Sequence, residues 1–150
     1  MKRVALISCT KSKHSYPCEA QEMYMTSTLF QKARTYIESQ NYDEWFILSA
    51  KHGLLDKSEI IEPYDVSLLT MKVSERKEWS NRVYNQLKEM KDCEFDFYAG
   101  SKYREFVIPI LEKDGFICHS PMQGLKIGEQ LQFYSDALGE GVKSGSRISY

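Results

Sequence analysis

"EWFILSAKHGLL", residues 44–55, reads as a buried strand that leaves the core through two small residues, a lysine, a histidine and a glycine. Its apolar run barely alternates with polar residues, which marks a strand covered on both faces. Three further short runs share this character: "RVALISC" (3–9), "EFDFYAG" (94–100) and "FICHSP" (116–121). Helical spacing fills the intervals. In "EMYMTSTLFQKARTYIESQ" (22–40), Met23, Leu29, Phe30, Ala33 and Ile37 fall near one face. In "SERKEWSNRVYNQLKEM" (74–90), Trp79, Val83, Leu87 and Met90 recur at threes and fours, with Ser74 as the expected cap. "SKYREFVIPILEKDG" (101–115) is a third helix, which Pro109 must kink or shorten. "GEQLQFYSDALGE" (128–140) is the last, with Gly128 at its start.

Strands alternating with helices predict an α/β fold: a three-layer sandwich around a four-stranded, mostly parallel sheet of order 2-1-3-4. With 150 residues and 42% hydrophobic content, the chain suits one domain with one core. That domain is expected over residues 1–138, with 139–150 ("GEGVKSGSRISY") as a loose tail. A formal net charge of −1 argues against extended duplex nucleic acid as a partner, and leaves room for a small anion held by a local basic cluster. The four cysteines form no CxxC pair, and no leader or membrane span is evident, so a reduced, cytoplasmic protein is expected. Cys9, Cys18, Cys118 and His119 lack the spacing of a zinc site, and neither metal nor cofactor is expected.

Ligands of open parallel sheets bind beyond the carboxyl ends of the strands. Four strand exits therefore supply the candidates. The first offers Ser8, Cys9, Thr10, Lys11 and Lys13, a polar turn suited to an anion but without the glycines of a phosphate-binding loop. Cys9 reads either as a nucleophile or as a small buried residue. The second offers Ser49, Lys51 and His52, with His52 a candidate acid or base and Gly53 supplying a positive φ. The third offers Gly100, Ser101 and Tyr103. The fourth leads to Gly124, Glu129, Gln130 and Tyr134. Between strands two and three lies a long loop whose "EPYD" (62–65) presents Glu62, Tyr64 and Asp65. The four exits are expected to converge, with Lys51 and His52 beside Thr10, Lys11, Ser101 and Gly124.

The residues "LISCTKSK", "YDEWFILSAKHGLL", "EPYDVSL", "YAGSKYRE" and "GLKIGEQLQFY" together resemble a small family of uncharacterised bacterial and phage proteins, YaaA-like single domains of unknown function. The lysine-glycine turn after strand two and the following proline loop are similar to a domain of archaeal tRNA-guanine transglycosylase relatives. That domain resembles the uracil-DNA glycosylase fold, also of order 2-1-3-4. No water-activating motif of that kind is evident here.

The expected function is recognition of a small nucleotide-like ligand, with cleavage or exchange of an N-glycosidic bond. Glu62, Asp65 or Glu129 would stabilise positive charge on the sugar, and His52 or Lys51 would assist the departing base or hold phosphate. Two alternatives stand beside it: a binder that sequesters a cyclic or ADP-ribose-type signalling nucleotide, and a protein that binds nucleic acid or processes one flipped base.

Overall fold

The computed structural model describes residues 1–139, so the expected tail falls, Gly139 apart, outside the described residues. In chain order the elements are β1 (Lys2–Ser8), β2 (Cys18–Glu19), α1 (Ala20–Met23), α2 (Thr28–Ser39), β3 (Glu44–Ser49), β4 (Gly53–Leu55) and β5 (Ile60–Ile61). A 3-10 turn (Leu68–Thr70) precedes α3 (Val73–Leu87), β6 (Cys93–Tyr98), α4 (Ser101–Arg104), α5 (Val107–Lys113), β7 (Ile117–His119) and α6 (Ile127–Ala137).

The main sheet has five strands in the order β4-β3-β1-β6-β7, not the four expected. β3, β1, β6 and β7 run parallel, and β4 joins β3 antiparallel. The unforeseen strand comes from the opening stretch itself. Ala50, Lys51 and His52 make a three-residue hairpin loop, and Gly53 takes the left-handed conformation (φ +72°) that lets the chain fold back. The returning strand, "GLL", is too short to show a period, so the sequence does not reveal it.

Successive strand residues point to opposite faces, and Val4, Ala5, Leu6 and Ile7 are all buried, so β1 is covered on both sides. α2 packs on β1 and against α6, while α3 and α5 pack together, α3 against β4 and α5 against β7. The outer edge of β4 is closed by a side chain. Gln86 of α3 accepts from the Leu54 amide at 2.9 Å and donates to the Leu54 carbonyl at 3.3 Å, standing in for a further strand.

Three helices differ from their expected bounds for local reasons. The 22–40 helix breaks into α1 and α2, because Ser27 turns its hydroxyl to accept the Phe30 amide at 3.2 Å and caps a new start. α3 begins before Ser74: Lys72 is the N-cap residue, and the Glu75 carboxylate accepts its amide at 2.9 Å. The 101–115 helix divides into α4 and α5. The Pro109 ring would collide with the Glu105 carbonyl in a continuous helix, so the chain restarts with Pro109 in the first turn of α5, where no amide is needed.

Gly53 generates the first prediction. A Cβ there would lie 2.6 Å from Gln86 Oε1, on a backbone that L-residues disfavour. Gly53→Ala should cost about 1–2 kcal/mol in urea unfolding, by backbone strain and by loosening the Gln86 clamp. A neutral substitution would contradict this role.

Candidate functional site

β1 lies between strands reached in opposite directions. The chain crosses from β1 to β3 on one side, then returns past β1 to β6 on the other. The exits of β1 and β6 therefore diverge, and a cavity of about 870 Å³ opens where they part. Its size suits a small-molecule site.

The β1 exit lines it with Ser8, Cys9, Thr10, Lys11, Ser12 and Lys13. Side chains shape this loop. Thr10 Oγ1 donates to the Ser12 carbonyl at 3.1 Å, Ser12 and Thr26 hydroxyls meet at 2.6 Å, and Lys13 Nζ donates to the Lys11 carbonyl at 3.3 Å. Lys13 also stands over the Tyr64 ring, 4.6 Å from its centre. From the β6 exit come Gly100, Ser101, Lys102 and Tyr103. The start of α2 contributes Ser27, Leu29 and Phe30, and α6 contributes Ile127, Gln130 and Tyr134. A strap from the long loop closes another side with Asp65, Val66, Ser67, Leu69 and Thr70.

Charge is distributed unevenly around this lining. Lys11, Lys13 and Lys102 face it with no carboxylate partner among the described residues. The arginines of the ion pairs elsewhere are matched: Arg34 with Glu22 and Glu38, Arg76 with Glu105, Arg3 with Glu94 and Asp96. Against the three lysines the lining sets one acid, Asp65. In a chain of net charge −1, the cavity concentrates positive charge.

Cys9 is buried at the cavity wall. Its sulfur lies 3.3 Å from the Tyr103 hydroxyl and receives the Ala50 amide at 3.4 Å. Burial and the nearby Cys9 push the Tyr103 hydroxyl well above its ordinary range, so it stays protonated at neutral pH. Each of the other three cysteines, Cys18, Cys93 and Cys118, is raised by burial, Cys118 to about 12.

Several expected residues stand elsewhere. Ser49, Lys51, His52, Glu62, Tyr64, Gly124 and Glu129 do not line the cavity. Glu129 caps its own helix, accepting the Lys126 amide at 2.9 Å. Glu62 is exposed, and Gly124 sits in an exposed turn with φ +85°. Ser49 is fully buried and accepts the Lys51 and His52 amides at 3.3 and 3.0 Å. With both lone pairs so engaged, its hydroxyl donates to Tyr64 at 2.8 Å, and Tyr64 in turn donates to Tyr24 at 2.6 Å. His52 meets the edge of Tyr64, ring centres 5.6 Å apart, and is not part of the cavity lining that holds its expected neighbours Thr10, Lys11 and Ser101. The Ser49–Tyr64–Tyr24 network stands beside the lining, where Lys13 rests on the Tyr64 ring.

The sequence reading passed over Ser27, Ser67, Leu69 and Ile127. Ser27 had a legible signal, a serine just before an apolar helical period, and Ile127 another, at helical spacing from Leu131 and Tyr134; Ser67 and Leu69 lie in a segment with no period to read. Among the described residues, no group of three or more His, Cys, Asp or Glu is arranged to hold a metal ion, and no helix is long and apolar enough to cross a membrane.

The chain belongs to a family of unknown function, DUF6884, which matches residues 4–136. It is also similar to the uncharacterised protein YfjM of Bacillus subtilis (strain 168), 29% identical over 154 aligned positions that cover 93% of this chain and 97% of that one. No solved structure matches the chain. These likenesses carry the expectation of an uncharacterised family, and neither of its finer forms, YaaA-like or uracil-DNA-glycosylase-like.

His52 yields a pH prediction. Burial, then the adjacent Lys51, holds its pKa below the ordinary 6.5, and its Nε2 is buried without a partner among the described residues. The unfolded chain therefore takes up the proton more readily. Stability contributed by the neutral ring is complete above pH 6.5 and is lost as pH falls below it. His52→Gln should flatten the acid-side decline in unfolding free energy, measured by urea titration at stepped pH; an unchanged slope would contradict this.

Proposed function

We propose that this member of the DUF6884 family binds a small nucleotide-like ligand in the cavity between the β1 and β6 exits. One observation carries the reading: a cavity of about 870 Å³ at the switch point, lined by three lysines that no carboxylate neutralises among the described residues. Lysines, hydroxyls and the start of α2, a twelve-residue helix, are suited to phosphate oxygens. Leu29, Phe30 and Tyr134 supply an apolar wall beside them. Four free cysteines fit the reducing, cytoplasmic setting that this reading assumes.

Cleavage or exchange of an N-glycosidic bond rests on Asp65. It alone of the candidate carboxylates Glu62, Asp65 and Glu129 lines the cavity. A carboxylate beside the anomeric carbon stabilises the positive charge that develops as the base departs. The likeness of the second strand exit and the proline loop to a uracil-DNA-glycosylase-like domain favours this chemistry. A second reading, sequestration of an intact signalling nucleotide, is favoured by the position of His52 outside the lining, which leaves the departing base without its expected acid.

Calorimetry with nucleoside mono- and diphosphates and ADP-ribose tests the binding. Lys11→Ala and Lys13→Ala should each weaken it about tenfold, the more so at low salt. Chromatography of the same mixtures tests the chemistry. Released base that Asp65→Asn reduces by at least ~100-fold, with affinity retained, establishes the glycosidic role. Intact ligand recovered at stoichiometric protein assigns sequestration, and absence of binding across the panel overturns the reading.

A further inference from the structure

The cavity has a second chemical character at its mouth. Leu69 is 72% exposed and Ile127 is 63% exposed, yet both line the cavity, with the half-covered Val66 nearby. They come from elements far apart in the chain, the strap and the start of α6. Large aliphatic side chains exposed on a concave surface mark a binding surface.

Neither is loosely held. Leu68, the residue before Leu69, is fully buried and anchors the strap. Ser67 Oγ accepts the Leu69 amide at 3.1 Å and the Ser67 carbonyl accepts the Thr70 amide at 3.3 Å, which fixes the turn. Ile127 is the first residue of α6, directly after the Lys126 amide that Glu129 caps. Two rigid backbones thus present aliphatic groups to one space, while the lysines come from the strand exits. A ligand that uses both is anionic at one end and presents an apolar surface at the other. A nucleoside 5′-phosphate has that construction.

We propose that Leu69 and Ile127 form a clamp for the planar base of the ligand whose phosphate the lysines hold. The proposal rests on the reading of the cavity as a nucleotide site and deepens it. Binding desolvates the two side chains against the base, and a ring face is covered regardless of its hydrogen-bonding edge. Base recognition by this pair is therefore tight without being strongly selective.

The test compares adenosine, guanosine, cytidine and uridine 5′-monophosphates with ribose 5-phosphate, which lacks the base. Wild-type protein should bind each of the four monophosphates more tightly than ribose 5-phosphate. Leu69→Ala and Ile127→Ala should each weaken monophosphate binding about tenfold and leave ribose 5-phosphate unchanged, with unaltered thermal melting as the check on folding. Monophosphate affinity unchanged in both variants would overturn the clamp alone, as would an equal loss for ribose 5-phosphate. Concentration-dependent dimerisation abolished by either substitution, with nucleotide affinity unaffected, would assign the pair to a second copy of the chain and also overturn it. Failure of the wild type to bind any of the five probes would remove the underlying reading and this inference together.

Discussion

A single buried serine ties together the segments that stand beside the cavity. Ser49, at the end of β3, gives its hydroxyl to Tyr64, takes the amides of Lys51 and His52, and accepts Trp79 Nε1 on its carbonyl at 2.8 Å. The strand end, the hairpin turn, the long loop and α3 are thereby tied at one point. A buried hydroxyl left with unmet partners would cost more than the bonds contribute, so the four segments settle together or not at all. The strap that carries Asp65 and Leu69 begins one residue beyond Tyr64. Its position is therefore a consequence of Ser49.

The parallel core was legible because its cause is local. Val4 to Ile7 and Trp45 to Leu48 are near-continuous apolar runs separated by helical periods, and only a sheet covered on both faces satisfies both patterns. The expected order of the four parallel strands corresponds to β3-β1-β6-β7, and the switch point follows from it. What sequence could not disclose was β4. Three residues carry no period, and their pairing depends on the left-handed Gly53 and on Gln86, thirty-two residues beyond Leu54.

The lining of the candidate cavity was legible at the first and third exits and not at the second. Ser8 to Lys13 and Gly100 to Tyr103 follow parallel strands on either side of the switch point, where the topology leaves room. Ser49 to His52 have the same residue types, but their strand turns into an antiparallel neighbour and the turn is closed by Trp79, Arg82 and Gln86. Polar residue type alone does not distinguish a group that awaits a ligand from one that completes a buried network. Glu129 makes the same point on a helix: an acid in the first turn satisfies an amide before it is available to a substrate.

The hairpin nonetheless acts on the cavity at one remove. Tyr64 donates to Tyr24 and receives from Ser49, so its ring is fixed in orientation, and burial keeps its hydroxyl protonated at neutral pH. Lys13 rests on the face of that ring. A cation held over an aromatic face and bonded to the Lys11 carbonyl has lost much of the freedom of a surface lysine before any anion arrives. For the proposed anionic ligand, part of the ordering that binding would impose is already supplied by the protein. A turn that contributes no side chain to the cavity lining thus determines where one of its three lysines stands.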